Sequence, residues 1–148
     1  AIGLCTVLVE TADPALLQRF TSAGARPANF CCSGRVATTA SEKAELRRTT
    51  GADAVEMESS AIHAVCRERG VACATVRVIS DVAGEDLPLD FNRLSKPDMS
   101  VDYGKLAVSI ALAPWKIPAL LKLQRQTSAA AKELARVLAS FLEMEVRE

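Results

Sequence analysis

The sequence has 148 residues, enough for one domain with a real core, and 49% of them are apolar. Eighteen basic residues stand against eighteen acidic ones for a formal charge of zero, which excludes electrostatic capture of nucleic acid and points to a small or apolar partner. Cys5, Cys31, Cys32, Cys66 and Cys73 are odd in number and lack a CxxC spacing, and His63 is the lone histidine, so no metal site is expected and reduced thiols of a cytoplasmic protein are.

In chain order, residues 2–9 read as a strand, with no basic leader or cleavage pattern before it. Asp13 and Pro14 supply a cap and a first turn for a helix carrying Leu16, Leu17 and Phe20, which Gly24 closes. Arg26 and Pro27 begin a linker, and residues 29–38 form an extended segment interrupted by Gly34. Thr39 and Glu42 stand in capping-box register, a hydroxyl at the cap and a carboxylate three residues on. The helix they open runs to Thr49 and ends at Gly51, with Leu46 as its main apolar contact. Lys43, Glu45, Arg47 and Arg48 read as its solvated face.

The stretch from Gly51 to Asp81 carries the chemistry. Residues 54–57 form a short apolar strand broken by Glu56, and Glu58 then opens a helix with Ala61, Ile62, Val65 and Cys66 at helical spacing. Gly70 stops that helix, and residues 72–79 are rich in β-branched side chains before the strand ends in Ser80 and Asp81. In open α/β sheets ligands bind beyond the carboxyl ends of the strands, where both Glu58 and Asp81 would stand. Asp81 can be an acid raised in pKa by a water-poor strand end, oriented by Ser80, or a cap for the segment VAGED. Glu58 can accept from a pair of hydroxyls or complement the dipole of its helix. Met57 suits an apolar ring face or the core. Arg77, charged within an apolar strand, needs a carboxylate, with Glu56 and Asp81 as candidates. His63 reads as a packed or surface histidine.

Beyond Asp81 comes a loop with Gly84, Glu85, Asp86, Pro88 and Asp90, long enough to close over a pocket, with Phe91 and Leu94 packing beneath it. Residues 106–113 are apolar, Pro114 and Pro118 break them, and Trp115, Lys116, Leu120, Leu121, Lys122 and Leu123 mix apolar with basic character. The apolar run is too short to span a membrane. It can pack as a helical hairpin or subunit interface, or lie on a lipid surface with Trp115 at the boundary. Finally, Ser128 caps a tail helix whose Leu134, Val137, Leu138, Phe141 and Leu142 share one face and dock on the sheet.

VEMESSAI followed by VRVISD resembles the signature of the nucleoside phosphorylase and nucleosidase family, which includes purine nucleoside phosphorylases and the methylthioadenosine/adenosylhomocysteine nucleosidases. The resemblance implies one α/β domain over residues 1–148, a three-layer α/β/α arrangement around a central mixed sheet. The family's chains are longer and carry this signature in their C-terminal half, so the expectation is the C-terminal part of the fold without its first strands. It further implies cleavage of the N-glycosidic bond of a purine nucleoside, with Asp81 as general acid at purine N7, Ser80 orienting it and Glu58 on the ribose hydroxyls. Met57 would lie against the sugar. Phe30, Ser33 and Arg35 would neighbour the base, unless Phe30 is core; Glu56 joins the set as a substrate-side carboxylate of open role. No cofactor or metal is implied beyond inorganic phosphate as a co-substrate, the alternative attacking species being water.

The Pro-Trp-x-x-Pro-x-Leu-Leu-x-Leu run from Pro114 to Leu123 resembles the hopanoid-associated phosphorylase subgroup. Residues 99–126 would then be a helical insertion, the 5′ substituent apolar as in adenosylhopane, and residues 105–123 the contact with a membrane surface or lipid substrate. The protein would be a cytoplasmic or membrane-peripheral homo-oligomer. Two rivals remain: an ordinary soluble salvage nucleosidase or phosphorylase, and a non-catalytic purine-binding or assembly domain.

Overall fold

The structure, a computed structural model, describes residues 5–8, 12–96 and 100–145. The first strand, β1 (Cys5–Leu8), occupies the middle of the stretch expected as a strand, whose two ends lie outside the described residues. Asp13 caps α1 (Pro14–Ser22) by accepting from the N–H groups of Ala15 and Leu16, and Pro14 takes the first helical position.

Arg26 and Pro27 are not a linker. They belong to β2 (Arg26–Ala28), which lies parallel to β1 with Thr6 opposite Arg26 and Leu8 opposite Ala28. A proline has no N–H to give a ladder, but β2 is the edge of the sheet, where that loss is tolerated. Next comes β3 (Phe30–Cys32), then α2 (Ala40–Thr50) behind the expected capping box: the Thr39 hydroxyl accepts from Glu42 N–H, and the Glu42 carboxylate from Thr39 N–H. Gly51 ends α2 at φ 69, the left-handed conformation that favours glycine.

Behind these follow β4 (Ala54–Glu56), α3 (Ser59–Glu68) and β5 (Val76–Val78). Of the expected strand over residues 72–79, only the three residues that pair antiparallel with β1 are extended in a ladder. The strands form a mixed sheet in the order β2-β1-β5 and a parallel pair β3-β4. Helices alternate with them, so the described residues make an α/β fold.

One apolar centre holds the three-stranded sheet to its helices. Phe20, Ala23 and Ala25 from α1 and its exit meet Val137, with Leu16, Leu17, Val76, Leu134 and Phe141 packed around them. The rings of Phe20 and Phe141 stack at 4.1 Å.

The C-terminal half differs from expectation. After α4 (Phe91–Leu94), α5 (Tyr103–Leu112) and a single 3₁₀ turn over Pro114–Lys116, one helix, α6 (Ile117–Glu145), runs for 29 residues. Ser128 therefore caps nothing; it sits mid-helix. Pro118 does not break the chain either, because it occupies the first turn, where no intrahelical N–H is required of it. Leu134, Val137 and Phe141 dock as expected, whereas Leu138 and Leu142 are exposed. Among the described residues no single helix is long and apolar enough to cross a membrane, and the axes of α5 and α6 are bent by 102°.

Candidate functional site

Glu56, the last residue of β4, organises the start of α3. Its carboxylate accepts from the N–H groups of Glu58 (2.8 Å) and Ser59 (2.7 Å), from the Ser59 hydroxyl (2.6 Å) and from Arg77 (2.8 Å). Two N–H groups at the helix start are thus satisfied from just upstream. Burial alone would raise the pKa of Glu56, but the hydrogen bonds from Ser59, Glu58 and Cys32 outweigh it and hold the pKa at about 2, against an ordinary 4.5. Its side chain is only 4% exposed. Buried and held by Glu58, Ser59 and Arg77, Glu56 is the support on which the neighbouring acid stands.

That neighbour is Glu58. It occupies the cap position of α3 without a side-chain cap bond, because Glu56 does the capping. Its carboxylate projects outward, 61% exposed, and accepts from the same Arg77 nitrogen that reaches Glu56. Arg77 thereby pairs with Glu56 and Glu58 rather than with Asp81.

Asp81 has a different cation. Lys43 donates to its Oδ2 at 2.7 Å, and Ser80 donates to its Oδ1 at 3.0 Å. The expected solvated face of α2 is therefore wrong at Lys43, whose side chain is 10% exposed. Arg47 and Arg48 do lie outside, paired with Asp53 and Glu45. The sequence held a signal for Lys43: a cation this near a helix N-terminus opposes the macrodipole and wants a reason to be there.

Two adjoining hollows contain these groups. The larger, about 390 Å³, holds Lys43 and Asp81 against Val36, Val55, Ile79 and Leu87. The other, about 260 Å³, holds Phe30, Arg35, Met57, Glu58 and Arg77. They share Val36, Ala54, Val55, Val78, Ile79 and Ser80 as a common wall. Hence Phe30, Met57 and Glu58 are brought together, Ser80 belongs to the wall with Asp81 on its other side, and Ser33 turns into its own loop, its hydroxyl bonded to the Arg35 carbonyl. His63 is packed away at 6% exposure, its Nε2 2.8 Å from the Thr75 hydroxyl. Among the described residues no cluster of His, Cys, Asp and Glu could hold a metal ion.

Chemically, the first hollow offers a carboxylate fixed at both oxygens beside an apolar wall. The second offers a carboxylate exposed to a ligand's hydroxyls, flanked by an aromatic ring and a thioether. A purine nucleoside has these two ends.

The family described as the phosphorylase superfamily matches residues 7–111. Aminodeoxyfutalosine nucleosidase of Campylobacter jejuni subsp. jejuni is 41% identical over 51 residues, a match covering 34% of this chain and 22% of that protein. The chain thus aligns with less than a quarter of that relative's length.

Proposed function

Because the chain belongs to the phosphorylase superfamily, we propose that it cleaves the N-glycosidic bond of a purine nucleoside, adenine being the leaving base. The observation that carries this reading is the pairing of Asp81 and Glu58 across the wall they share through Ser80. Adenine is a poor leaving anion, and the sugar it leaves passes through an oxocarbenium-like cation. Asp81 takes up a proton from solvent and delivers it to N7 of the base, so the bond breaks with its electron pair retained by a neutral purine. Glu58 accepts from the ribose 2′ and 3′ hydroxyls and its negative charge favours the developing cation. Met57 packs against the sugar and Phe30 and Arg35 border the base.

Water, releasing a proton to solvent, or inorganic phosphate then bonds to C1′, giving the 5-substituted ribose or its 1-phosphate. The nucleosidase name of the Campylobacter jejuni match supports water; no other cofactor enters the scheme.

The 5′ substituent of the substrate is apolar. The elbow from α5 to α6 presents Tyr103, Leu112 and Trp115, each more than 70% exposed, beside Lys105, Lys116 and Lys122. Lys122 ties this elbow to the loop after Asp81 through Glu85, at 2.8 Å. An apolar 5′ tail such as that of adenosylhopane, or the surface of the bilayer carrying it, is the matching partner.

The fold contributes one further argument. The accessible surface is 9397 Å², whereas a monomer of 15.8 kDa exposes about 7,300 Å² by the usual scaling. That excess supports a homo-oligomer or further chain completing a three-layer α/β/α arrangement.

The test is adenine release from 5′-alkylthio-5′-deoxyadenosines of increasing chain length by the full-length natural protein, with and without phosphate. Release abolished by Asp81→Asn is expected, phosphate dependence naming the nucleophile. Purine binding without turnover would instead favour the non-catalytic alternative, and indifference to tail length the soluble salvage enzyme.

A further inference from the structure

We propose that Lys43 is the positioning residue of the site: it claims one oxygen of Asp81 and so assigns the proton-carrying role to the other. The inference rests on the reading of Asp81 as general acid. An ammonium has three N–H donors and no acceptor. Those of Lys43 meet three acceptors, Asp81 Oδ2 at 2.7 Å, the Val82 carbonyl at 3.0 Å and the Glu85 carbonyl at 2.8 Å. With every donor engaged, Lys43 has none left for a ligand, which separates it from a substrate-binding lysine. Its side chain lines the larger hollow at 10% exposure, where a hydrogen bond to an ionised group is worth more than in water.

Two consequences follow from this connectivity. Lys43 arrives from α2 yet holds both the acid and the turn that follows it, so the loop over residues 82–85 and the carboxyl group move as one body. Moreover, with Oδ2 held by an ammonium, a proton on Asp81 is carried by Oδ1, next to Ser80. Ser80 can both donate and accept, so its hydroxyl serves Oδ1 with or without that proton. The base therefore receives its proton from Oδ1.

The experiment removes the ammonium and returns it. In Lys43→Ala the deleted atoms match n-propylammonium, which supplies three carbons and a nitrogen with three donors. Adenine release by the full-length natural protein from a 5′-alkylthio-5′-deoxyadenosine gives kcat and KM for the parent, Lys43→Ala and Lys43→Met; thermal melts accompany each. The expected result is a kcat at least tenfold lower in both variants, KM within twofold of the parent, and saturable recovery of Lys43→Ala by n-propylammonium but not by tetramethylammonium, which has no N–H. Hydrogen exchange at the amides of residues 82–87 should accelerate in Lys43→Met. An unchanged kcat, a change confined to KM, or a lower kcat that follows the melting temperature without amine recovery overturns the proposal. Should parent turnover be absent, or indifferent to Asp81→Asn, the functional reading itself fails and this inference falls with it.

Discussion

One nitrogen of Arg77 lies 2.8 Å from the buried Oε2 of Glu56 while also donating to Glu58. A single guanidinium on β5 therefore links the carboxylate that starts α3 to the carboxylate that faces the hollow. The arrangement fixes the orientation of Glu58 without blocking it, since an ionised carboxylate has about four acceptor sites.

Replacing Arg77 by Met keeps much of the volume and deletes both ion pairs. Breaking a wholly buried pair costs about 3–5 kcal/mol, but the Arg77 side chain is 36% exposed, so a loss of about 2 kcal/mol is expected. Denaturant unfolding checks that figure. Glu58 also loses its orienting partner, so KM for the nucleoside should rise several-fold beyond any change in kcat. A KM equal to that of the parent would show that Arg77 serves folding alone.

Acid stability follows from Glu56. Its folded pKa of about 2 lies below the ordinary 4.5, so its contribution is complete above pH 4.5 and disappears as the pH falls through 4.5 towards 2. The difference corresponds to about 3 kcal/mol at neutral pH. Glu42, also held at about 2 by Thr38 N–H and Arg35, adds to the slope in the same direction. Urea titrations of the parent and Glu56→Gln between pH 7 and 3 should show a gap in stability that narrows as acid is added. A constant gap across that range contradicts the assignment.

How far the site could be read from sequence depends on whether a residue's partner is near in the chain. Thr39 and Glu42 meet across one helical turn, Asp13 meets Ala15 and Leu16, and all of that was legible as spacing. Asp81 and Glu58 stood out in the sequence because each ends or begins an element at the side where such folds bind ligands, and the fold sets them in two adjoining hollows. Lys43 did not: its acceptors lie 38 to 42 residues away, and a lysine amid Glu45, Arg47 and Arg48 looks like any solvated run. That Glu56 starts α3 was not read either, because the acid stands two residues ahead of the usual cap position. β2 and α6 failed at prolines. Pro27 and Pro118 are breakers by rule, yet one stands on a sheet edge and the other in a first helical turn, the two settings where the missing N–H costs least.

Substituting Asp81 by Asn separates chemistry from structure. Asn retains an oxygen for Lys43, so the ion pair becomes a neutral-acceptor hydrogen bond and the fold should lose no more than about 1 kcal/mol. The amide has no acidic proton to give, and adenine release should fall by about 10²–10⁴-fold. Binding of adenine itself, followed by calorimetry, should change little. Turnover close to that of the parent would remove Asp81 from the mechanism.

The elbow between α5 and α6 makes its own prediction. Trp115 is 73% exposed on the 3₁₀ turn, next to Lys116 and close in sequence to Ile117, Leu121 and Lys122. Such a surface, apolar with basic neighbours, suits the boundary of an anionic bilayer, where Trp rests at headgroup depth and lysines reach the phosphates. Flotation with vesicles of phosphatidylglycerol and phosphatidylcholine should carry the protein upward at low salt, less so at high salt, and hardly at all for Trp115→Ala. Because Lys122 joins this elbow to Glu85, and Glu85 shares Lys43 with Asp81, vesicles should also raise turnover of long-tailed substrates more than of 5′-methylthioadenosine. Equal flotation of Trp115→Ala and parent would reassign the elbow to contacts between subunits, which sedimentation of the same two proteins would then detect as a loss of association in the variant.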